Sequence, residues 1–315
     1  MVHQSTIRYL IKYGGPKKIV KAVIYYMYDS LKKRNLDFQH DKIIQVNDYK
    51  MKIIPHDKGI SSELMIYGNH EPLTTNIISD ELVEGMNCLD IGSNIGYYAL
   101  LESKKIGPNG NVWCIEPSPE NFSILNDNIK IQENKNIKSF NFAIGDKNGD
   151  IEFIISKKSN WSKVKDENDF VDDNDKIIKV PLKTLNSFAD ENNLEKIDLL
   201  RMDVEGYENK IFMGGIEFLK KFRPTIMIEI HKMIMGEEET RKILQKLKEI
   251  NYENYYFIPR IFDSQIIGEK NDVKDVTIDE LLKKLKNKIL PDTFQLTLKQ
   301  KNMKNQLDEK VNDKI

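Results

Sequence analysis

The chain has 315 residues, 31% of them charged, and a formal net charge of −1 from 48 basic and 49 acidic side chains. This balance gives no general attraction to nucleic acid, and no nucleic-acid partner is expected. Two cysteines are too few for a secreted disulfide scaffold, and the first fifteen residues lack the apolar core of a signal peptide. The sequence therefore predicts a cytoplasmic protein of one large domain or two smaller ones.

Residues 1–75 are expected to form an extension that begins with a basic, aromatic helix. Pro16 is suited to the start of this helix, and apolar residues recur at helical spacing as far as Arg34. Lysines flank the apolar stripe within 17–34, as in helices that lie on an anionic membrane surface. The alternative is packing on the core or on a second copy of the chain, as a substrate cap or a homo-oligomer contact.

The elements that follow the helix are short. Alternating residues at 43–46 and 51–54, joined around Asn47, predict a β-hairpin. A threonine pair at 74–75 is suited to cap a helix over 76–84, which leads into the central strand.

The stretch 86–98 is the centre of the pattern. An apolar run nearly ends at Asp90, Gly92 and Gly96 follow, and an apolar segment of helical character begins. This order predicts a buried parallel strand, a tight turn and a helix N-terminus. Glycine at 92 permits a positive φ and removes the side chain where a ligand approaches the backbone, and the N–H groups of the helix face the same point.

Apolar and amphipathic segments then alternate, which predicts an α/β fold with a doubly wound, mostly parallel sheet and a site at the carboxyl ends of its strands. The main domain is expected over 76–298, with a charged insertion at 261–290 and a flexible tail over 299–315. The last strand is expected to run antiparallel to the one before it. Further strands are predicted at 111–116, 137–143, 151–155, 177–181, 197–203, 224–230, 252–259 and 293–298. Further helices are predicted at 119–131, within 182–192, at 207–219 with an interruption at the glycine pair, at 237–250 and near 279–288.

Four of the apolar runs end, or nearly end, in an acid: Asp90, Glu116, Asp203 and Glu229. The carboxyl ends of parallel strands share one edge of a sheet, so these acids are expected to face one site. Glu116 closes the second strand and is placed to accept hydrogen bonds from the ribose hydroxyls of a nucleoside. Asp146 follows the third strand and is expected near an adenine amine.

Nicotinamide dinucleotides and S-adenosylmethionine are the two cofactor classes that suit this layout. A pyrophosphate needs the closer glycine pair of Gly-x-Gly-x-x-Gly, whereas the two glycines here lie four residues apart. Acids are favourable beside the sulfonium and ammonium groups of S-adenosylmethionine and unfavourable beside a pyrophosphate. The residues therefore favour S-adenosylmethionine. Those expected to bind it are Asp90, Gly92, Ser93, Asn94, Gly96, Glu116, Asp146 and Asp203.

Two segments, 89–98 (LDIGSNIGYY) and 198–208 (DLLRMDVEGYE), resemble the FkbM-type family of S-adenosylmethionine-dependent methyltransferases. The segments 223–231 (RPTIMIEIH) and 71–75 (EPLTT) also look like motifs of this family. The resemblance covers about 65–260, and its most specific part is the unit Asp-Val-Glu-Gly followed by a second glutamate.

The resemblance implies a class I methyltransferase (Rossmann-like) fold of about seven strands, with one antiparallel strand near the C-terminus. It also places Glu71 over the cofactor from the N-terminal side. Family members commonly carry Ala-Asn in the glycine turn and lysine before the acidic unit, whereas Ser93 and Arg201 stand at or near those positions here.

The resemblance further implies methyl transfer to an oxygen, often a sugar or polyketide hydroxyl. The leading expectation is an O-methyltransferase acting on a sugar of a glycan or a lipid-linked oligosaccharide, so the expected partner is a sugar or glycolipid acceptor. The alternatives are methylation of a non-sugar small molecule and a non-catalytic module that binds S-adenosylmethionine. A nicotinamide dehydrogenase is disfavoured by the glycine spacing.

A sugar hydroxyl is a weak acid, so a base or a metal must help to remove its proton. Asp203 and His231 are the leading candidates, with Glu229 or Glu205 orienting the histidine. The alternative interpretation makes His231 a surface histidine after a strand and Glu205 an acceptor for backbone N–H groups around Gly206.

A metal site would use Asp203, Glu229 and His231, which offer the donor types that Mg²⁺ and Mn²⁺ accept. Because the chain has no compact spacing of metal ligands, no metal is expected.

Overall fold

The computed structural model describes residues 42–301, apart from 55–56, 58, 133–134, 157–158, 167–170, 174 and 261–274, and it also describes Met27. The helix predicted around 17–34, the first part of the predicted insertion and the tail after 301 lie outside the described residues, Met27 excepted. Within the described part of the chain, no helix is both long enough and apolar enough to cross a membrane.

Strands and helices follow one another along the described part of the chain. The strands are β1 (Lys42–Val46), β2 (Tyr49–Ile53), β3 (Asn87–Ile91), β4 (Asn111–Ile115), β5 (Ile137–Phe140), β6 (Ala143–Gly145), β7 (Gly149–Ile155), β8 (Lys163–Val164), β9 (Lys176–Thr184), β10 (Leu199–Met202), β11 (Thr225–Ile230), β12 (Tyr252–Pro259) and β13 (Phe294–Gln300). The helices are α1 (Ile60–Tyr67), α2 (Pro72–Glu81), α3 (Tyr97–Ile106), α4 (Pro119–Ile131), α5 (Leu185–Glu191), α6 (Glu208–Gly214), α7 (Ile216–Phe222), α8 (Lys232–Glu249) and α9 (Ile278–Lys286).

A mixed sheet of seven strands has the order β12-β13-β11-β10-β3-β4-β5. Neighbouring strands from β11 to β5 are parallel, and β13 lies antiparallel between β11 and β12. The α/β fold with about seven mostly parallel strands and an antiparallel last strand is therefore confirmed. Because the parallel strands run in one direction, the ends of β3, β4, β10 and β11 lie along one edge, where the predicted acids stand.

Both faces of this sheet are covered, as expected for strands made of nearly continuous apolar residues. Leu89 and Ile91 of β3 face a core that includes residues of α5 to α9, whereas Cys88 faces a second core with α1 to α4. The predicted β1–β2 hairpin is present, and Met51 packs it into that second core. Each fully buried leucine or isoleucine side chain contributes about 1.5–3 kcal/mol of stability. Cys88 and Cys114 are both buried and free.

The strand predicted at 137–143 is wrong as a single element. It divides into β5 and β6, because the Asn141 side chain donates to the carbonyl oxygens of Glu116 (2.8 Å) and Pro117 (3.1 Å) and turns the chain out of the main sheet. The strand β6 then joins a second sheet of four strands in the order β6-β9-β7-β8. The pair predicted at 151–155 and 177–181 belongs to this second sheet as β7 and β9.

One helix boundary differs from the prediction. The helix expected over 76–84 begins at Pro72, because the residue before a proline is excluded from helical backbone and Glu71 is therefore the N-cap, with φ 44°. The helix expected over 237–250 is present as the part of α8 that follows Gly236, a non-helical residue (φ 89°) that divides α8 into two helices. The predicted interruption at the glycine pair is found at Gly215, which separates α6 from α7.

Candidate cofactor and acceptor site

A cavity lies at the carboxyl ends of β3, β4 and β10, the edge of a parallel sheet at which ligands bind. Half of the residues predicted for the site line this cavity, and they come from the turns after all three strands. The predicted residues that line it are Gly92, Ser93, Asn94, Glu116, Asp203 and Glu205. The remaining predicted residues, Glu71, Asp90, Gly96, Asp146, Glu229 and His231, are not part of its lining.

The glycine turn after β3 is held against its neighbours by close packing. Gly92 has φ +82°, and a Cβ atom on it would lie 1.9 Å from the carbonyl oxygen of Asp203. The N–H groups of Gly92 and Ser93 donate to the carbonyl oxygen of Ile115, at 2.9 and 3.1 Å. Contact between the β3 and β10 turns therefore requires glycine at this position, and Gly92 also lines the cavity.

The Glu116 carboxylate, just after β4, is held by local backbone groups. The N–H of Asn94 donates to Oε2 (2.8 Å) and the N–H of Ser118 donates to Oε1 (2.9 Å). Burial raises the pKa of Glu116 to about 7, although these two hydrogen bonds oppose the shift. A carboxylate has about four lone-pair positions, so Glu116 keeps acceptor capacity toward the cavity that it lines.

Apolar side chains line the cavity beside Glu116, among them Phe142, Ile144 and Val164. A carboxylate acceptor next to an apolar slot suits a nucleoside, which presents ribose hydroxyls and a flat ring. Asp146 does not take part in this slot. It follows β6 of the second sheet, is exposed and lies 3.9 Å from Lys210, so the expectation that it follows the third strand of the main sheet is corrected.

Arg201, in the middle of β10, pairs with two of the predicted acids. Its Nη1 lies 3.0 Å from Oδ1 of Asp90 and its Nη2 lies 3.0 Å from Oδ2 of Asp203. The guanidinium also lies 4.0 Å from the centre of the Tyr98 ring. Asp90 is completely buried, so this acid balances Arg201 and does not face the cavity. A charged residue inside an apolar strand must be paired, and this was the signal in the sequence for the contact.

His231, directly after β11, is surrounded by carboxylates. Its Nδ1 lies 2.7 Å from Oε1 of Glu208, and its Nε2 lies 3.2 Å from Oε2 of Glu205 and 3.6 Å from Oε1 of Glu229. Burial alone would lower the pKa of His231, but Glu205 and Glu208 raise it well above the ordinary value. This arrangement favours an imidazolium over a neutral imidazole that takes up a proton. His231 is buried, so the interpretation as a surface histidine is wrong.

Glu208 makes two contacts that the sequence analysis assigned to other glutamates, one with His231 and one with the backbone N–H of Gly206. It is the nearest partner of His231, and its Oε1 also accepts the N–H of Gly206 at 3.1 Å. Glu205, expected as the backbone acceptor, instead has φ 54° and a side chain that lines the cavity. Burial raises the pKa of Glu205, against the opposing effect of His231.

A further network connects the N-terminal side to β11. Arg260 lies 2.6 Å from Oε1 of Glu71 and 3.1 Å from Oε1 of Glu229, and Gln295 donates to the other oxygens of both acids at 3.1 and 2.7 Å. Burial alone would raise the pKa of Glu71, but Arg260 holds it well below its usual range. Glu71 does not line the cavity, yet it accepts a 2.8 Å hydrogen bond from the hydroxyl of Tyr98, which does. No sequence pattern indicated Arg260 or Gln295.

A family model of the methyltransferase FkbM domain matches residues 90–254, more than half of the chain. The chain belongs to the FkbM methyltransferase family. The match contains the glycine turn, Glu116, the acids after β10, and Glu229 and His231 at the end of β11. A model of protein-L-isoaspartate(D-aspartate) O-methyltransferase also matches, over residues 27–150.

Two curated relatives of this FkbM chain resemble only part of it. The 2-O-methyltransferase NoeI of Sinorhizobium fredii is 31% identical over 147 residues, which cover 43% of this chain and 59% of the relative. Methyltransferase 1 of Beauveria bassiana is 25% identical over 142 residues, 40% of this chain and 57% of the relative. The chain thus aligns with less than two thirds of either relative's length. Among solved structures, methyltransferase FkbM from Methylobacillus flagellatus is 15% identical, with a TM-score of 0.36, over 52% of this chain and 37% of the other.

Proposed function

We propose that this member of the FkbM family is an S-adenosylmethionine-dependent O-methyltransferase that acts on a sugar hydroxyl of a glycan or lipid-linked oligosaccharide. The observation that carries the proposal is that one cavity connects Glu116, a carboxylate acceptor after β4, with Asp203 and Glu205 after β10. These are the two ends that such an enzyme needs, one for the nucleoside and one for the acceptor hydroxyl.

The nucleoside end of the cavity is assigned to Glu116 and the apolar slot. Glu116 accepts hydrogen bonds from the ribose hydroxyls, and Phe142, Ile144 and Val164 contact the adenine ring. The turn at 92–94 faces the amino-acid part, since its Asn94 donates to Glu116 at the nucleoside end and its Gly92 lies against the Asp203 carbonyl.

When bound, S-adenosylmethionine supplies the methyl carbon: a bond forms from the acceptor oxygen to this carbon, and the carbon–sulfur bond breaks with its electron pair remaining on sulfur. The residues after β10 and β11 hold the acceptor oxygen in line and remove its proton. Asp203 and Glu205 line the cavity and face the hydroxyl, while His231 and Arg201 fix the positions of these two acids.

The sugar class follows from the acceptors common among FkbM-type proteins. A wall of carboxylates supports it, because the carboxylates of Asp203 and Glu205 accept hydrogen bonds from neighbouring hydroxyls of a polyhydroxy acceptor. The relative NoeI is named as a 2-O-methyltransferase, which agrees with transfer to oxygen.

The first experiment is calorimetry of the full chain with S-adenosylmethionine and with NAD. We expect binding of S-adenosylmethionine only, weakened at least about tenfold by Glu116→Gln, since a charge-assisted hydrogen bond contributes about 1.5–3 kcal/mol. The matched control is Glu120→Gln, an exposed glutamate in the first turn of α4, for which affinity should not change. Failure to bind S-adenosylmethionine would overturn the proposal.

The second experiment follows transfer of a labelled methyl group to extracted glycans, glycolipids and apolar metabolites in separate fractions. Label is expected in a carbohydrate fraction, and Asp203→Asn is expected to abolish it while affinity for S-adenosylmethionine stays within about threefold. Label confined to the apolar fraction would refute the sugar class, and absence of transfer to every fraction would favour a non-catalytic binding module.

A further inference from the structure

Three side chains of the kinds that ligate metal ions lie together at the acceptor end of the cavity. Asp203, Glu205 and His231 each offer one ligand atom, and these atoms lie within 4.8 Å of one another. They come from the turns after two neighbouring parallel strands, β10 and β11, so the sheet itself sets their spacing. We propose that Asp203, Glu205 and His231 bind a divalent cation that holds the acceptor hydroxyl.

The orientation of His231 is the first support. Its Nδ1 is held at 2.7 Å by Glu208, whose side chain is fully buried. A histidine that ligates a metal almost always has its other ring nitrogen fixed by a carboxylate or carbonyl in this way. The bond to Glu208 directs Nε2 toward Glu205, where it lies 3.2 Å from the carboxylate. Glu208 is thus a positioning residue for the imidazole.

The excess of negative charge around His231 is the second support. Three carboxylates lie within 3.6 Å of its ring nitrogens, those of Glu205, Glu208 and Glu229. The second oxygen of Glu208 is buried and has no hydrogen-bond partner within the described part of the chain. Arg260 is shared between Glu229 and Glu71. A divalent cation that displaces the proton from Nε2 leaves a neutral imidazole whose Nδ1–H donates to Glu208, and the two charges of the cation offset more of the carboxylates than the single charge of an imidazolium does.

Access and donor chemistry are the third support. The side chains of Asp203 and Glu205 are 23% and 21% exposed, so a cation from solution reaches them. Arg201 binds Oδ2 of Asp203 and leaves Oδ1 available. Two carboxylates and one imidazole suit Mg²⁺ and Mn²⁺, which keep open positions for water or substrate oxygen. This differs from the metal set considered from sequence, because Glu205 takes the place of Glu229.

The inference rests on the proposed function and specifies how the acidic cluster removes the proton. A coordinated hydroxyl has a lowered pKa, so its oxygen keeps the O–H electron pair and attacks the methyl carbon. The proton passes to water that reaches Asp203 and Glu205. No redox change occurs at the cation.

The test uses Mn²⁺ as the probe on the full chain after treatment with a chelator. Electron paramagnetic resonance should show one tightly bound Mn²⁺ per chain, and pulsed measurements should show coupling to a histidine nitrogen. Glu205→Gln is expected to weaken Mn²⁺ binding at least about 100-fold and Glu208→Gln about 10- to 100-fold. The control Glu152→Gln removes an exposed carboxylate that pairs with Lys165 on the second sheet, and its Mn²⁺ affinity should equal that of the wild type.

The outcomes separate this inference from the proposed function. Binding of S-adenosylmethionine without Mn²⁺ binding overturns the cation site and leaves the methyltransferase proposal standing. Binding of Mn²⁺ with histidine coupling, but no binding of S-adenosylmethionine, supports the cation site and overturns the methyltransferase proposal. Mn²⁺ that binds the wild type without nitrogen coupling, or equally well to Glu205→Gln, contradicts the site. The nitrogen coupling needs no variant, so a variant that fails to fold does not remove the test.

Discussion

The two ends of the cavity are built on different physical principles. At the nucleoside end, Glu116 is held by backbone N–H groups of Asn94 and Ser118, which are uncharged donors from adjacent turns. At the acceptor end, Asp203 is held by the charged side chain of Arg201, which also pairs with the buried Asp90, 111 residues away in the sequence. The first end is therefore a preformed acceptor with little dependence on distant residues. The second end is stable only while its opposite charges remain matched, so substitutions should affect the two ends differently.

The largest effect is expected from Arg201→Met at the acceptor end. Removing the guanidinium leaves Asp90, which is completely buried, without its partner, and breaking a buried pair from one side costs about 3–5 kcal/mol. Urea denaturation monitored by circular dichroism would measure the loss. The control Lys104→Met removes a pair that is exposed on both sides and should leave the free energy of unfolding nearly unchanged. Similar losses in both variants would contradict the distinction.

The next effect compares two glycines with nearly the same positive φ. Gly92 and Gly85 have φ +82° and +81°, but a Cβ atom would overlap Asp203 at Gly92 and meet nothing within 4 Å at Gly85. Gly85→Ala should cost about 1–2 kcal/mol for the left-handed conformation alone. Gly92→Ala should cost at least about 3 kcal/mol and also weaken binding of S-adenosylmethionine, because it separates the β3 and β10 turns. Equal losses in thermal or urea denaturation would show that the turns are not in close contact.

A smaller effect is expected at the nucleoside end and depends on pH. The raised pKa of Glu116, about 7, means that the carboxyl is mostly protonated below that pH in the free protein. Ribose hydroxyls are bound best by the ionised form. Affinity for S-adenosylmethionine should therefore fall by up to about tenfold per pH unit below 7 and level off above it. Calorimetry across this range should give a flat profile for Glu116→Gln, and an unchanged slope in the variant would assign the titration to another group.

The smallest effect concerns Glu102 on α3, beside the Asp90–Arg201 pair. It is completely buried, and neither oxygen has a hydrogen-bond partner within the described residues. Burial, with Asp90, raises its pKa well above 4.5. A raised folded-state pKa stabilises the protein at low pH, and this contribution is lost as the pH rises through that pKa. Glu102→Gln, which resembles the protonated form, should therefore flatten the decline in unfolding free energy toward high pH. The same dependence of the unfolding free energy on pH in the wild type and in Glu102→Gln would contradict this.

The fold was largely predictable because each strand of the main sheet is an apolar run with its own boundaries. The glycine turn at 92–96 and the capped helix at Pro119 are local signals, and both elements formed as expected. The division of 137–143 into β5 and β6 was not predictable, since it depends on Asn141 reaching carbonyl oxygens 24 and 25 residues away. The position expected for Asp146 was wrong for the same reason, because this residue follows β6 of the second sheet and not a strand of the main sheet.

By itself, the sequence determined the alternation of strands and helices, the α/β sheet, the glycine turn after β3 and the acids at the strand ends. Each of these is encoded by a short run of neighbouring residues, through hydrophobic period, backbone freedom or position at the end of a run. The tertiary structure alone decided which charges meet. Arg201 balances Asp90 and Asp203, Glu208 holds His231, and Arg260 and Gln295 join Glu71 to Glu229. Apart from Arg201 and Asp203, which lie two residues apart, these contacts form between side chains that are distant in sequence, because burial in a low-dielectric interior requires every charge to find a partner once the strands have been placed side by side.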